Sequence, residues 1–95
     1  MEEGYYIVRS RDAGVFAGEI VKRESKEVTM KNARRIWYWS GAASLSQLAV
    51  DGTSNPNGCK FPCEVSEVVI LEACEILTCT EKAKESIKAV AVWRQ

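Results

Sequence analysis

The chain has 95 residues, 46% of them apolar and 27% charged, with 13 basic side chains balancing 13 acidic ones. This is enough for one small folded domain, residues 1–95, with a modest core, and the zero net charge disfavours bulk nucleic-acid binding. Histidine is absent, which removes the commonest general base and metal ligand and excludes Ser-His-Asp and Cys-His chemistry.

The first residues, MEEGYYIV, carry acid where a signal peptide carries base. No apolar run approaches the ~18–20 residues that span a bilayer. No membrane partner and no export by that route are therefore expected. Residues Tyr5–Ser10 read as a strand, rich in aromatic and β-branched types. Asp12-Ala13-Gly14 is a turn signal, and Val15–Arg23 a second strand whose interior Gly18 implies a bulge or a close backbone approach. After the charged turn Glu24–Lys26, a third strand is predicted over Glu27–Trp39, with Val28 and Met30 on one face and Thr29 and Lys31 on the other. Asn32-Ala33 is the candidate bulge within it. These strands make a three-stranded antiparallel meander.

Ser44 caps a predicted short helix bearing Leu45, Leu48 and Ala49 on one face. Asp51–Asn57 is a loop of turn formers, and Cys59–Cys63 is irregular or extended. Val65–Leu71 is a strand, which Glu75–Cys79 continues or pairs with. Thr78 and Glu81 match a capping box opening a helix over Glu81–Lys88, with Ala83, Ile87 and Val90 on one side. Val90–Trp93 is a candidate last strand. The fold class is α+β: a small, mostly antiparallel sheet with two short helices.

The charge is unevenly spread. Residues 5–39 hold eight basic and four acidic side chains, whereas residues 64–85 hold six acidic and two basic. The first stretch suits a compact anion and the second a basic surface, including another copy of this chain. With a small core, this favours a homodimer or higher homo-oligomer.

The run Arg34-Arg35-Ile36-Trp37-Tyr38-Trp39 carries the most chemistry. On a continuing strand, Arg35, Trp37 and Trp39 share one face, and Arg34, Ile36 and Tyr38 the other. Arginine beside tryptophan can stack on a planar group and grip a phosphate. The plainer alternative is a tryptophan core with arginines lying over it, although three consecutive aromatics are hard to bury in one strand. Ser40-Gly41-Ala42-Ala43-Ser44 follows. Small residues before a helix leave backbone N–H groups open to an anion, and Ser40, Gly41, Ser44 and Gln47 join the candidate site. The alternative is a plain turn capped by Ser44.

Cysteines stand at 59, 63, 74 and 79. Their spacing departs from the C-x2-C of zinc knuckles, so free cysteines and no metal or other cofactor are expected. The carboxylate pairs Glu2-Glu3, Glu24/Glu27 and Glu72/Glu75 sit among surface-type residues, which argues for solvated charge rather than catalysis.

YYIVRSRDAGVFAGEIV, VTMKNARRIWYWSGAASLSQLAV, CKFP and ILTCTEKAKESI together resemble a family of short tailed-phage and prophage proteins catalogued as a domain of unknown function. The resemblance runs from Tyr5 to Trp93 and is most specific in WYWSGAASLSQLA. It covers Arg34, Arg35, Trp37, Tyr38, Trp39, Gly41, Ala42, Ser44 and Gln47 but not Cys63 or Cys74. It implies a phage origin and the host cytoplasm, and no reaction. The expected function is non-enzymatic: an accessory protein binding an anionic planar ligand such as a nucleotide signal, with countering host defence as the role expected of it. The alternative is a protein-interaction module that uses the same arginines and aromatics as anchors on a host protein.

Overall fold

The computed structural model describes residues 4–95. Its elements are β1 (Tyr6–Ser10), β2 (Gly14–Glu24), β3 (Glu27–Arg35), α1 (Leu45–Asp51), β4 (Val65–Ile70), β5 (Ala73–Thr78) and α2 (Glu81–Ala89), with a 3₁₀ turn at Pro56–Gly58. All strand pairs are antiparallel, and the order across the sheet is β4-β3-β2-β1-β5. The α+β class and the N-terminal meander hold.

That order forces the sheet to curl. β4 and β5 lie at opposite ends of it, yet only Leu71 and Glu72 join them. In a flat sheet they would stand four strand spacings apart, roughly 19 Å. The three Cα steps from Ile70 to Ala73 reach at most about 11 Å. The sheet therefore bends into a partly closed barrel, with Glu72 taking a left-handed φ of 56° in the connecting turn. The Ala73 amide donates to the Lys26 carbonyl (2.7 Å), and Ser10 Oγ donates to the Leu71 carbonyl (3.0 Å). β5 thus pairs with β1 and not with β4, against the sequence expectation, because the curled sheet places β1 beside it.

Two cores result. The barrel interior holds Tyr6, Val8, Phe16, Ile20, Val28, Met30, Ala33 and Ile70, with Val68, Ala73 and Ile76 packed against them. Outside it, Tyr5, Ile7, Ala17 and Ile36 pack against Leu48 and Ala49 of α1 and Ile87 of α2, with Phe61 and Val90 between. Tyr6, Ile7 and Val8 of β1 are buried on both faces of the sheet, which is why the start of the strand reads as an apolar run rather than an alternation.

The bulge at Asn32-Ala33 decides which way the arginines point. Ala17 faces Arg34, but Glu19 faces Lys31, so β3 carries an extra residue there. Asn32 takes a left-handed φ of 51°. Gly18 sits opposite, where a Cβ would lie 2.8 Å from the Ala33 Cα, so the predicted close approach at this glycine is real. Before the bulge Val28 and Met30 face the barrel; after it Ala33 does. Arg34 and Ile36 are thereby turned towards the helices.

Three boundaries differ from expectation. β3 ends at Arg35 rather than Trp39, because the Ile36 amide makes the last bond to Val15 and β2 begins at Gly14, leaving no strand to pair with. The α2 cap is Thr80, whose side chain accepts from the Ala83 amide (3.0 Å), and not Thr78. Thr78 is still paired with Tyr6 in the sheet. Val92 forms one isolated bridge to Phe61 instead of a final strand. Among the described residues no helix is long and apolar enough to cross a membrane.

Candidate binding cleft

The meander brings the β1–β2 turn beside the end of β3, since Ser10 pairs with Gly14 and Phe16 with Arg35. A cleft of about 360 Å³ forms there, lined by Arg11, Asp12, Val15, Arg35, Trp37 and Trp39, among others. Its volume lies at the lower end of small-molecule sites, about 300–1,000 Å³.

Arg35 is held at the barrel mouth. Its guanidinium stacks on the Phe16 ring, 4.3 Å from the centroid, and one terminal nitrogen donates to the Ala13 carbonyl. This fixes the charge in position and leaves the other guanidinium nitrogens without a bond among the described residues. Gly14 is needed beside it: φ is 95°, and a Cβ would stand 3.2 Å from Arg35 Nη1. Trp37 is 64% exposed. Trp39 is half-buried against the helical core and donates from Nε1 to the Ala42 carbonyl (3.2 Å). Arg11 pairs only with Asp12, at 3.7 Å, and both are highly exposed. Such pairs contribute about 0–1 kcal/mol, so Arg11 can turn to an incoming anion.

Arg34 does not reach the cleft. It is 3% exposed and donates to four carbonyls: Pro62 (3.0 Å), Ile87 (3.1 Å), Val90 (2.9 Å) and Phe61 (2.6 Å). Two of these, Ile87 and Val90, are at the C-terminal end of α2, where the helix dipole favours a cation. Burial pulls the Arg34 pKa below its ordinary value, and the Tyr5 and Glu64 side chains oppose that shift. Its role is to tie α2 to the end of β3.

The Ser40–Gln47 part of the predicted site is also separate from the cleft. The Ser40 amide donates to Cys59 Sγ (3.4 Å), and its hydroxyl accepts from Asn55 Nδ2 (3.2 Å). Gly41 has φ 82°, and a Cβ there would lie 2.4 Å from the Asn55 amide nitrogen. Its carbonyl accepts from the Ser54 amide (3.1 Å). Ser44 caps α1 by accepting from the Gln47 amide (3.1 Å), while Gln47 Oε1 accepts from the Ala43 amide (2.7 Å). Much of the hydrogen-bonding capacity expected to meet an anion is used within the loop. Gly41 and Gln47 instead border a second shallow depression with Lys82.

Arg11 and Asp12 were not in the predicted site. The signal was present in the meander, because two hairpins in succession put the first turn at the same end of the sheet as the close of β3. Lys60 was also missed. It pairs with Tyr38 across an isolated bridge, and its amine lies 5.9 Å from the Tyr38 ring centroid and 5.7 Å from that of Trp93. The sequence separations hide this cluster.

The architecture is that of a small, partly closed antiparallel barrel with a helical side layer and an arginine–tryptophan cleft at one mouth. The chain belongs to the family described as Domain of unknown function (DUF6948), which it matches over residues 3–87. No curated protein and no solved structure matches it.

Proposed function

We propose that this protein is a non-enzymatic phage accessory protein of the host cytoplasm whose cleft binds a planar anionic ligand, such as a nucleotide signal. The observation that carries this reading is the meeting of Arg11, Arg35, Trp37 and Trp39 in one concavity. An indole face offers a stack worth about 1–3 kcal/mol per base, and each charge-assisted hydrogen bond about 1.5–3 kcal/mol. One stack with two such bonds sums to about 4–9 kcal/mol, and the micromolar range, about −8 kcal/mol, is reached at the upper end, when the groups are preorganised. Arg35 meets that condition through Phe16 and Ala13.

The test is calorimetric titration with nucleoside monophosphates and cyclic nucleotides. Arg11→Ala and Trp37→Ala should each lower affinity at least about tenfold, the loss of one such contact, with unchanged circular dichroism. Absence of binding by the unmodified protein to every nucleotide tried rejects the reading.

A protein partner is the second reading, favoured by a specific observation. Tyr38, 55% exposed, and Trp93, 39% exposed, flank Lys60 on an open surface with Val92. Exposed tyrosine and tryptophan of this kind dominate interface hot spots. Tyr38→Ala and Trp93→Ala should then abolish partner binding while leaving nucleotide affinity unaltered.

A further inference from the structure

The cleft is not closed at the Arg11 end. Arg11 and Asp12 also line a second depression, of about 680 Å³, with Arg23, Lys26, Glu72, Ala73 and Cys74. That depression shares Arg23, Lys26, Ala73 and Cys74 with a third, of about 340 Å³, that follows β5 to Thr78. A furrow therefore runs from Trp37 and Trp39, past Arg11, along the edge of β5.

The fold builds this furrow. β2 pairs with β1 only as far as Gly18, and its second half curls with β3 until Lys26 meets Ala73. Arg23 pairs with Val28, which faces the barrel interior. Opposed residues in an antiparallel pair share a face, so Arg23 is directed inward towards β5 and not out to the far side of the sheet.

The uncompensated charge along the furrow is positive. Glu75 is taken by Arg9 (2.9 Å), and the weak, exposed Arg11–Asp12 pair adds no net charge, so the excess comes from Arg23 and Lys26. Lys26 has no ion pair among the described residues. Arg23 has none either, donating only from Nε to the Ser25 carbonyl (3.1 Å). Glu72 is the one carboxylate left over in these two depressions, and Glu27, with no ion pair among the described residues, borders Lys26 and Glu72 in an adjoining one. The lining is polar along β5, with the aromatic rings confined to one end.

We propose that the ligand is a short single-stranded oligonucleotide, with a base stacked at Trp37 and Trp39 and successive phosphodiesters on Arg11, Lys26 and Arg23. This rests on the reading of the cleft above and extends it from one phosphate to several. An aromatic platform joined to a basic track is how single strands are held without sequence preference. A duplex is a poorer fit, because the chain as a whole carries no net positive charge.

The experiment is fluorescence anisotropy with 5′-phosphorylated, dye-labelled oligothymidylates of one, two, four and six nucleotides on the full chain. Affinity should rise at least about tenfold from one to four nucleotides and then level off, the added phosphates contributing through counterion release. Arg23→Ala with Lys26→Ala should remove that gain and leave mononucleotide affinity unchanged. The log–log salt slope on the tetranucleotide should fall by about 1.4, at about 0.7 per lost phosphate contact on a single strand. Glu72→Gln should tighten tetranucleotide binding. Equal affinity for all lengths overturns the furrow proposal while sparing the cleft, as does a double variant that binds the tetranucleotide normally. Tetranucleotide binding that survives Trp37→Ala with no mononucleotide binding overturns the cleft reading and the stacked base with it, and leaves only the basic track of Arg23 and Lys26. A polyglutamate peptide competing as well as the tetranucleotide overturns the ligand class.

Discussion

Arg34 offers the sharpest test of the packing argument. Replacing it with alanine removes four hydrogen bonds to carbonyls, a cation at the end of α2, and a contact with the Phe61 ring at 5.4 Å from its centroid. Each charge-assisted bond contributes about 1.5–3 kcal/mol. The cost of burying the guanidinium, visible in its lowered pKa, offsets part of that. Carbonyls left buried without a donor cost about 1–3 kcal/mol each, so a net loss of about 3–5 kcal/mol is expected, a large share of the ~5–14 kcal/mol expected of a domain this size. At about 4–8 °C per kcal/mol, Tm should fall by roughly 12–40 °C. Arg35→Ala loses one hydrogen bond and one stack on Phe16, but the site is only part-buried, so water replaces the lost bond and the cost is about 1–2 kcal/mol. Urea melts followed by tryptophan fluorescence and circular dichroism measure both. Arg34→Lys separates charge from shape: a lysine cannot present a planar fork to four carbonyls and should recover less than half of the loss. Equal midpoints for Arg34→Ala and Arg35→Ala, or full recovery with lysine, would refute this account.

Gly18→Val should cost about 1–3 kcal/mol, because even its Cβ would stand 2.8 Å from the Ala33 Cα; a denaturant midpoint equal to wild type would contradict the close approach. Cys63→Ser with Cys74→Ser should leave Tm nearly unchanged, since both side chains are exposed, and chelator should have no effect; one tightly bound zinc per chain by elemental analysis would overturn this. Stability should fall as pH rises from about 9 to 11, because burial pushes the Cys79 thiol from its ordinary 9.0 up to about 11. Burial, followed by Glu64, likewise raises the Tyr5 hydroxyl, extending the loss to still higher pH. In each case the folded state holds its proton where the unfolded chain has released it. Cys79→Ala should flatten the first part of that decline in a Tm-versus-pH series. Self-association is expected from Val65, Val69 and Leu71, exposed on or beside the edge strand β4, and sedimentation at micromolar concentration that finds only the 10.6 kDa monomer would reject it.

Local patterns in the sequence determined the three-strand meander, the bulge between Asn32 and Ala33, the Ser44 cap and the apolar face of α2, because each depends on neighbours a few residues apart. Period-two alternation correctly separated Arg34 from Arg35, but it could not say which would be buried. That choice required the bulge to turn Arg34 towards carbonyls at Phe61, Pro62, Ile87 and Val90, more than 25 positions away. The aromatic run likewise announced a surface without showing its neighbours. Arg11 joins Trp37 only because two hairpins fold back on one another, and the furrow to Arg23 and Lys26 exists only because a two-residue link between β4 and β5 makes the sheet curl. Propensity and periodicity act over one or two turns of chain. Sheet closure is a global constraint, and only the tertiary structure imposes it.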